Sequence, residues 1–307
     1  MASSTLTTYR QHVEELFGEP VRKLSVDAGL TCPNRDGTLG RGGCTYCNNE
    51  SFVPSGHADV AAQLREQIER VSASRRPARR FIAYFQAHTN TYGPLDTLRS
   101  LYDSALSVPG VAGLAVGTRP DCVADSVLEL LASYARRVPV WLELGLESSH
   151  DATLRRINRG HGAGAYADAL RRVSGRGLHL CTHLILGLPG EDRRAMRETA
   201  AWLAERFDET EAPSMGVKLH HLHIVRNTPL EAAYERGKVT LLSPDEYIEA
   251  ACDVIERLPA STVYHRLVGD TQGDTLVAPH WSRSKQQILS GIRTELERRG
   301  TGAGALA

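Results

Sequence analysis

Cys32-Pro-Asn-Arg-Asp-Gly-Thr-Leu-Gly-Arg-Gly-Gly-Cys44-Thr-Tyr-Cys47 holds three of the six cysteines of this 307-residue chain, separated by eleven residues and then by two. The loop is glycine-rich, which lets backbone approach a bulky ligand without Cβ clashes. Three thiolates suit a four-iron, four-sulfur (4Fe-4S) cluster, because a set of three leaves one iron open to a ligand other than protein. The rival is a structural zinc with His57 as fourth ligand, although zinc prefers paired Cys-x-x-Cys knuckles and one such pair is present. Cys122, Cys181 and Cys252 lie singly in apolar contexts and read as buried small hydrophobes.

Working outward, residues 21–26 read as a first strand that runs straight into the loop, and residues 8–18 as a short amphipathic helix ended by Gly18 and Pro20. Downstream, apolar runs at 81–85, 111–116, 138–146, 178–186 and 217–225 read as strands. Helical spacing separates them at 60–71, 95–107, 125–136, 152–158 with 166–173, and 193–207, the first of these broken by Arg75-Arg76-Pro77. Strand and helix thus alternate six times, which predicts parallel βα units closed into a partial barrel or opened into a doubly wound sheet. Parallel units gather their polar strand ends on one rim. That places the cysteine loop, Gln86, Asn90, Thr118, Arg119, Glu147, His183 and His220 around one cavity. Residues 244–258 and 284–298 read as helices and 262–268 as a strand, an add-on after the core. The expected division is a helix at 1–20, a core at 21–240 and an extension at 241–307, with Trp281 and Lys285 as its residues of interest.

The 36 basic and 36 acidic side chains cancel, so no global field draws the chain towards nucleic acid or anionic membrane. Neither a signal peptide nor a membrane-length apolar run is visible, which predicts a cytoplasmic protein without membrane contact. In that reducing compartment a close cysteine group holds metal rather than forming disulfides.

With the loop placed after the first of six βα units, the chain resembles radical S-adenosylmethionine (SAM) enzymes, in particular the YhcC-type family. Asp27-Ala-Gly-Leu-Thr-Cys-Pro-Asn-Arg-Asp-Gly-Thr38, Ala83-Tyr-Phe-Gln-Ala-His-Thr-Asn-Thr-Tyr92 and His183-Leu-Ile-Leu-Gly-Leu-Pro-Gly-Glu191 carry the resemblance. It is similar, more distantly, to the radical SAM domain of Elongator's catalytic subunit and to oxygen-independent coproporphyrinogen oxidases. The superfamily commonly spaces its first two cysteines by three residues; the eleven here resemble the Elongator-like group.

The resemblance implies a partial (β/α)6 TIM-like barrel of α/β class with a small C-terminal α+β extension. Cys32, Cys44 and Cys47 would bind the 4Fe-4S cluster, and its open iron would take the amino and carboxylate groups of SAM. Tyr46 would lie near the adenine. Gln86 to Asn90 fills the slot where relatives carry a Gly-Gly-Glu-like segment, and Thr118, Glu147 and Arg159 match positions that reach the sulfonium, ribose or carboxylate. His183 stands where the coproporphyrinogen-type relatives have aspartate. One electron from a low-potential donor of flavodoxin or ferredoxin type would cleave SAM to a 5′-deoxyadenosyl radical that abstracts hydrogen from substrate. If the Elongator likeness extends to substrate, the target is a tRNA base, without the acetyltransferase-sized second domain; a small metabolite is equally admissible. The alternative of another class is a zinc-stapled α/β binding module without turnover.

Polar residues at strand-to-helix turns also cap helices, so Gln86, Asn90 and Thr118 have a structural reading beside the functional one. Glu143 and Glu147 share a strand face, which suggests a cofactor site, or equally a buried partner such as Lys23. Alternation along the histidine-rich sixth strand puts Lys218 and His220 on one face, expected to meet substrate together with His183, and His221 and His223 on the other. The arginine groups at 75–80, 155–159 and 193–197 read as phosphate-tracking or solvated helix faces.

Overall fold

The computed structural model describes residues 6–48, 59–74, 78–269 and 273–307, so His57, Arg75, Arg76 and Pro77 lie outside the described residues. In chain order the first half forms α1 (Tyr9–Phe17), β1 (Val21–Val26), α2 (Val60–Ser72), β2 (Arg80–Phe85), α3 (Leu95–Leu106), β3 (Val111–Thr118), α4 (Asp125–Ala135) and β4 (Val140–Glu147). It continues with α5 (Asp151–Arg156), α6 (Ala163–Val173), β5 (His179–Leu186), α7 (Arg193–Asp208), β6 (Met215–His221) and β7 (Ile224–Val225). Last come α8 (Pro229–Glu235), α9 (Pro244–Arg257), β8 (Val263–Arg266), β9 (Leu276–Ala278) and α10 (Lys285–Arg299).

Seven strands form one parallel sheet in the order β1-β2-β3-β4-β5-β6-β8. This corrects the sixfold expectation, because β8, read as part of an add-on, pairs Val263, Tyr264 and Arg266 with Gly216, Val217 and Lys218. The helix α9 serves as one more crossover, and its face from Tyr247 to Ile255 is buried. The 21–240 boundary therefore does not separate the sheet from an extension. The expected strand at 217–225 divides, since β6 ends at His221 and β7 pairs antiparallel with β9 instead.

The sheet buries both faces, as parallel sheets do; β4 is buried at all eight positions. The helix-facing side carries the main core, with Phe81, Ala83 and Phe85 from β2. The inner side carries a smaller cluster of Ile82, Tyr84, Ala115 and Trp141, the alternate residues of the same strands. The helix α1 fills this inner space with Val13, packed with Tyr9 and Phe17. It starts in a capping box of Thr8 and Gln11 and is tied to β8 where Tyr264 N donates to Thr7 O at 2.8 Å. One mouth of the curled sheet is thereby plugged, and the strand C-termini surround the other.

Candidate active site

A cavity of about 210 Å³ opens among the strand C-termini. The cysteine loop folds over it by local backbone bonds: Cys32 O accepts from Arg35 N and Asp36 N, and Asn34 O from Gly43 N. Gly43 has φ +79°, the left-handed region, and a Cβ there would fall 2.8 Å from Arg35 Nε. The loop docks on the end of α5 by reciprocal amides, Asn34 Nδ2 donating to Asn158 O at 2.6 Å and Asn158 Nδ2 to Gly43 O at 2.8 Å. Thr45 N also donates to Ile157 O.

Cys32, Cys44 and Cys47 form no disulfide and all line the cavity. Cys44 Sγ faces two N–H donors, Arg159 Nη1 at 3.5 Å and Asn34 Nδ2 at 3.7 Å. Such donors are suited to a sulfur that ligates a metal. Burial, and then the neighbouring Cys44, push the Cys47 thiol up. The donor set fits an iron–sulfur cluster: soft sulfur ligands, N–H groups aimed at one of them, and a shared cavity beyond. Among the described residues, the trio of ligating atoms that closes to within 4.8 Å is Glu143, Cys181 and His183, not the loop cysteines. A tetrahedral zinc would draw thiolates to roughly 3.8 Å apart. The Glu143 trio is no metal centre either, because two lysine ammonium groups already occupy that carboxylate.

The end of β4 shapes the region beside Cys44. A register shift between Gly145 and Glu147 and a φ of +68° at Glu147 turn that side chain into the cavity. Arg159 is buried, donates to Gly145 O at 2.7 Å and stands 3.5 Å from Glu147. Burial opposes its charge, but Tyr46, Cys44 and Glu147 outweigh that and hold the guanidinium well above its ordinary value. Burial pushes the Glu147 carboxyl up, with Arg159 opposing. Arg159 Nε and Arg119 Nη1 are buried without a hydrogen-bond partner among the described residues, donors suited to a polar ligand.

Of the other residues expected at the site, Tyr46, Gln86, Thr118, His183, Lys218 and His220 line the cavity. Gln86 accepts from Ser25 Oγ at 3.3 Å, and the Thr118 hydroxyl is 2.6 Å from that of Thr91. Asn90 and Glu143 do not line it. Asn90 is fully buried and donates to Ala87 O and Gly117 O, so it pins the turn after β2 to β3. Glu143 lies one inward position deeper than Gly145, fully buried, where it accepts from Lys23 Nζ at 2.5 Å, His183 Nε2 at 2.9 Å and Lys218 Nζ. Burial opposes its charge, yet Lys218 and Lys23 hold it well below the usual carboxylate range. Burial and Lys23 draw Lys218 down to about 8 against the pull of Glu143, and burial and Lys218 draw His183 down to about 4.

The face assignment for the histidines is also corrected. His221 and His223 line the cavity together with His220, because the strand ends at His221 and alternation stops there. His221 and His223 approach to 2.7 Å between their Nε2 atoms, and Trp281 stacks on His221 at 4.0 Å. Sequence reasoning missed the cavity residues Arg35, Tyr84 and Arg266 and the Cys44 donor Asn34, and gave Arg119 no role. For Asn34 and Arg35 the signal was their place inside the cysteine loop. On the helix faces, Arg193 pairs with Asp253 and Glu249 and Arg194 with Glu198, while Arg156 donates to Pro189 O. Cys181 and Cys252 are buried as expected, while Cys122 is half-buried.

A parallel sheet of seven strands with three cysteines in the loop after its first strand defines an α/β partial barrel with a cysteine-lined mouth. The chain belongs to the radical SAM superfamily, whose description matches residues 34–203, followed by a radical SAM C-terminal domain at 214–298. It is 41% identical over 293 residues to Protein YhcC of Escherichia coli K12, covering 94% of this chain and 92% of that one. Uncharacterized protein YtqA of Bacillus subtilis is 38% identical over 297 residues, covering 96% and 90%. Among solved structures, the archaeal Methanocaldococcus infernus Elp3 with an N-terminal deletion superposes with a TM-score of 0.67 at 17% identity, covering 92% of this chain and 64% of that one. The partial barrel is thereby shown, with seven strands. No helix among the described residues is long and apolar enough to cross a membrane.

Proposed function

We propose that the chain is a radical SAM enzyme whose cluster is held by Cys32, Cys44 and Cys47 and whose substrate enters the same cavity. The observation that carries this reading is the convergence of the three cysteines, none in a disulfide, on one cavity, with Arg159 and Asn34 aiming N–H groups at Cys44 Sγ. When bound, the cluster and SAM supply one-electron cleavage of SAM and hydrogen abstraction from an unactivated carbon.

The protein's residues bind, orient and exclude water. Arg159, Glu147, Tyr46, Gln86 and Thr118 surround the space beside the cysteines and hold SAM. The Arg159 contacts to Gly145 O, Glu147 and Cys44 fix the guanidinium, so a ligand meets a preformed cation. The plug formed by α1 and the inner apolar cluster seals the floor against water. The deeper wall of His183, Lys218 and His220 meets substrate.

A low-potential flavodoxin- or ferredoxin-type donor delivers the electron. For substrate we favour a tRNA base, on the likeness to Elongator complex protein 3, which in mouse is 25% identical over 159 residues. Modified nucleosides in tRNA from cells with and without the gene test this: one nucleoside is expected to shift, and an unchanged profile refutes the RNA substrate. Anaerobic purification with iron, sulfide and zinc analysis tests the cluster. Stoichiometric zinc without a reconstitutable cluster would restore the zinc-stapled module, which the superfamily match does not favour.

A further inference from the structure

The parallel register carries one row of residues across four strands. Gly145 on β4 pairs with His183 on β5, His183 with Lys218 on β6, and Lys218 with Arg266 on β8. His183, Lys218, Arg266 and the blank Gly145 all line the cavity, as does His220 two positions above Lys218. The charges along this wall do not balance. Lys23, Lys218 and Arg266 bring three cationic side chains, and the acidic group among them is Glu143, already bonded to both lysines. Arg266 forms no hydrogen bond or ion pair among the described residues, yet its charge is felt by Lys218, His183 and His220. The next carboxylate in the cavity, Glu147, faces Arg159.

Lys218 is buried and matched by Glu143, whereas the half-buried Arg266 presents its unmatched charge to the cavity, where an anion would be drawn to it. A guanidinium fork beside an ammonium group is suited to a carboxylate or phosphate held through two oxygens. His220, kept neutral by burial and by Arg266, can add an N–H. We infer that Arg266, Lys218 and His220 form an oxyanion subsite, so that the substrate carries a carboxylate or phosphate group that docks on this wall while its reacting carbon faces the cysteine loop. The inference rests on reading the cavity as the substrate chamber of a radical SAM enzyme. SAM's own carboxylate is the competing occupant, and it belongs beside the cysteines if the open iron takes it.

The test is calorimetric titration of the full chain, anaerobically reconstituted, with inorganic phosphate and with malonate in separate arms, and with SAM in a third. At least one anion should bind the wild type saturably, and the tighter arm names the group. Arg266→Gln should weaken that anion by about tenfold or more, the worth of a charge-assisted contact. Arg266→Lys, which keeps the charge and loses the fork, should fall between, and supplies the comparison if the glutamine variant does not fold. SAM affinity should not follow anion affinity. Absence of saturable anion binding by the wild type, or equal binding by both variants, overturns the subsite. Parallel loss of SAM and anion affinity also overturns it, by assigning the wall to SAM. A chain that takes up no cluster fails the radical SAM reading instead, which the iron analysis of the same sample reports separately.

Discussion

Replacing Glu143 by glutamine removes the one carboxylate shared by Lys23, Lys218 and His183. Glu143 is wholly buried, and the Lys23 and Lys218 side chains are 16% and 6% exposed, so water replaces it poorly for either ammonium group. The amide would also turn N–H towards at least one cation. Breaking a buried ion pair from one side costs about 3–5 kcal/mol, which sets the expected loss. The loss has a pH signature. Lys218 is drawn down to about 8 in the folded chain even with Glu143 in place, against about 10.4 when unfolded. Between those values the folded state binds fewer protons than the unfolded, so stability rises with pH across that window, by at most about 1.4 kcal/mol per unit for one group. Without the carboxylate the folded Lys218 falls further, the window opens at lower pH, and the deficit measured at pH 7 should shrink by pH 9. Urea unfolding of the cluster-free chain at both pH values, followed by tryptophan fluorescence, reads the effect. A deficit under about 1 kcal/mol, or one that is the same at pH 7 and pH 9, would refute the reasoning.

Two further predictions follow from single contacts. Gly145→Ala would put a Cβ 2.4 Å from Arg159 Nη2 and 2.5 Å from Glu147 Oε1, displacing both. SAM affinity of the reconstituted protein should fall by about tenfold or more while unfolding stays cooperative, as calorimetry and urea titration can establish. His179 stacks on Trp141 at 4.7 Å, and burial draws its pKa down to about 4. A folded value below the unfolded 6.5 means that its stabilising share is complete above pH 6.5 and is lost as pH falls towards 4. His179→Phe should therefore flatten the acid limb of a stability profile by roughly 3 kcal/mol; an unchanged limb would assign the acid sensitivity elsewhere.

The middle strands of the first six were legible as apolar runs bounded by turn residues, and β1, apolar at alternate positions, matches its expected span. β8 was not legible as a sheet strand, since Val-Tyr-His-Arg is short and half-polar and its partner residues lie far back at Gly216 to Lys218. The cysteine trio could be read from spacing. The reach of Arg159 to Cys44 could not, because 115 residues separate them and only the docking of the loop on Asn158 brings them together. Alternation put Glu143 on the inner face and left a cofactor role and a Lys23 partner equally open; the Lys23 bond is the one present, and a two-residue period gives a face and not a depth, so it could not say that Glu143 lies below the cavity. The same period misplaced His223, which follows the end of β6. Asn90 shows the remaining ambiguity: the same amide at a strand end serves a ligand or the backbone, and here both bonds go to backbone.

The measurement closest to the central claim is formation of 5′-deoxyadenosine by the anaerobically reconstituted chain given dithionite and SAM, set beside Cys44→Ala. The account predicts 5′-deoxyadenosine from the wild type and none from the variant, whose cluster lacks the thiolate that Arg159 and Asn34 address. A wild type that holds a cluster and binds SAM yet releases no 5′-deoxyadenosine, or a variant that releases as much, would contradict it.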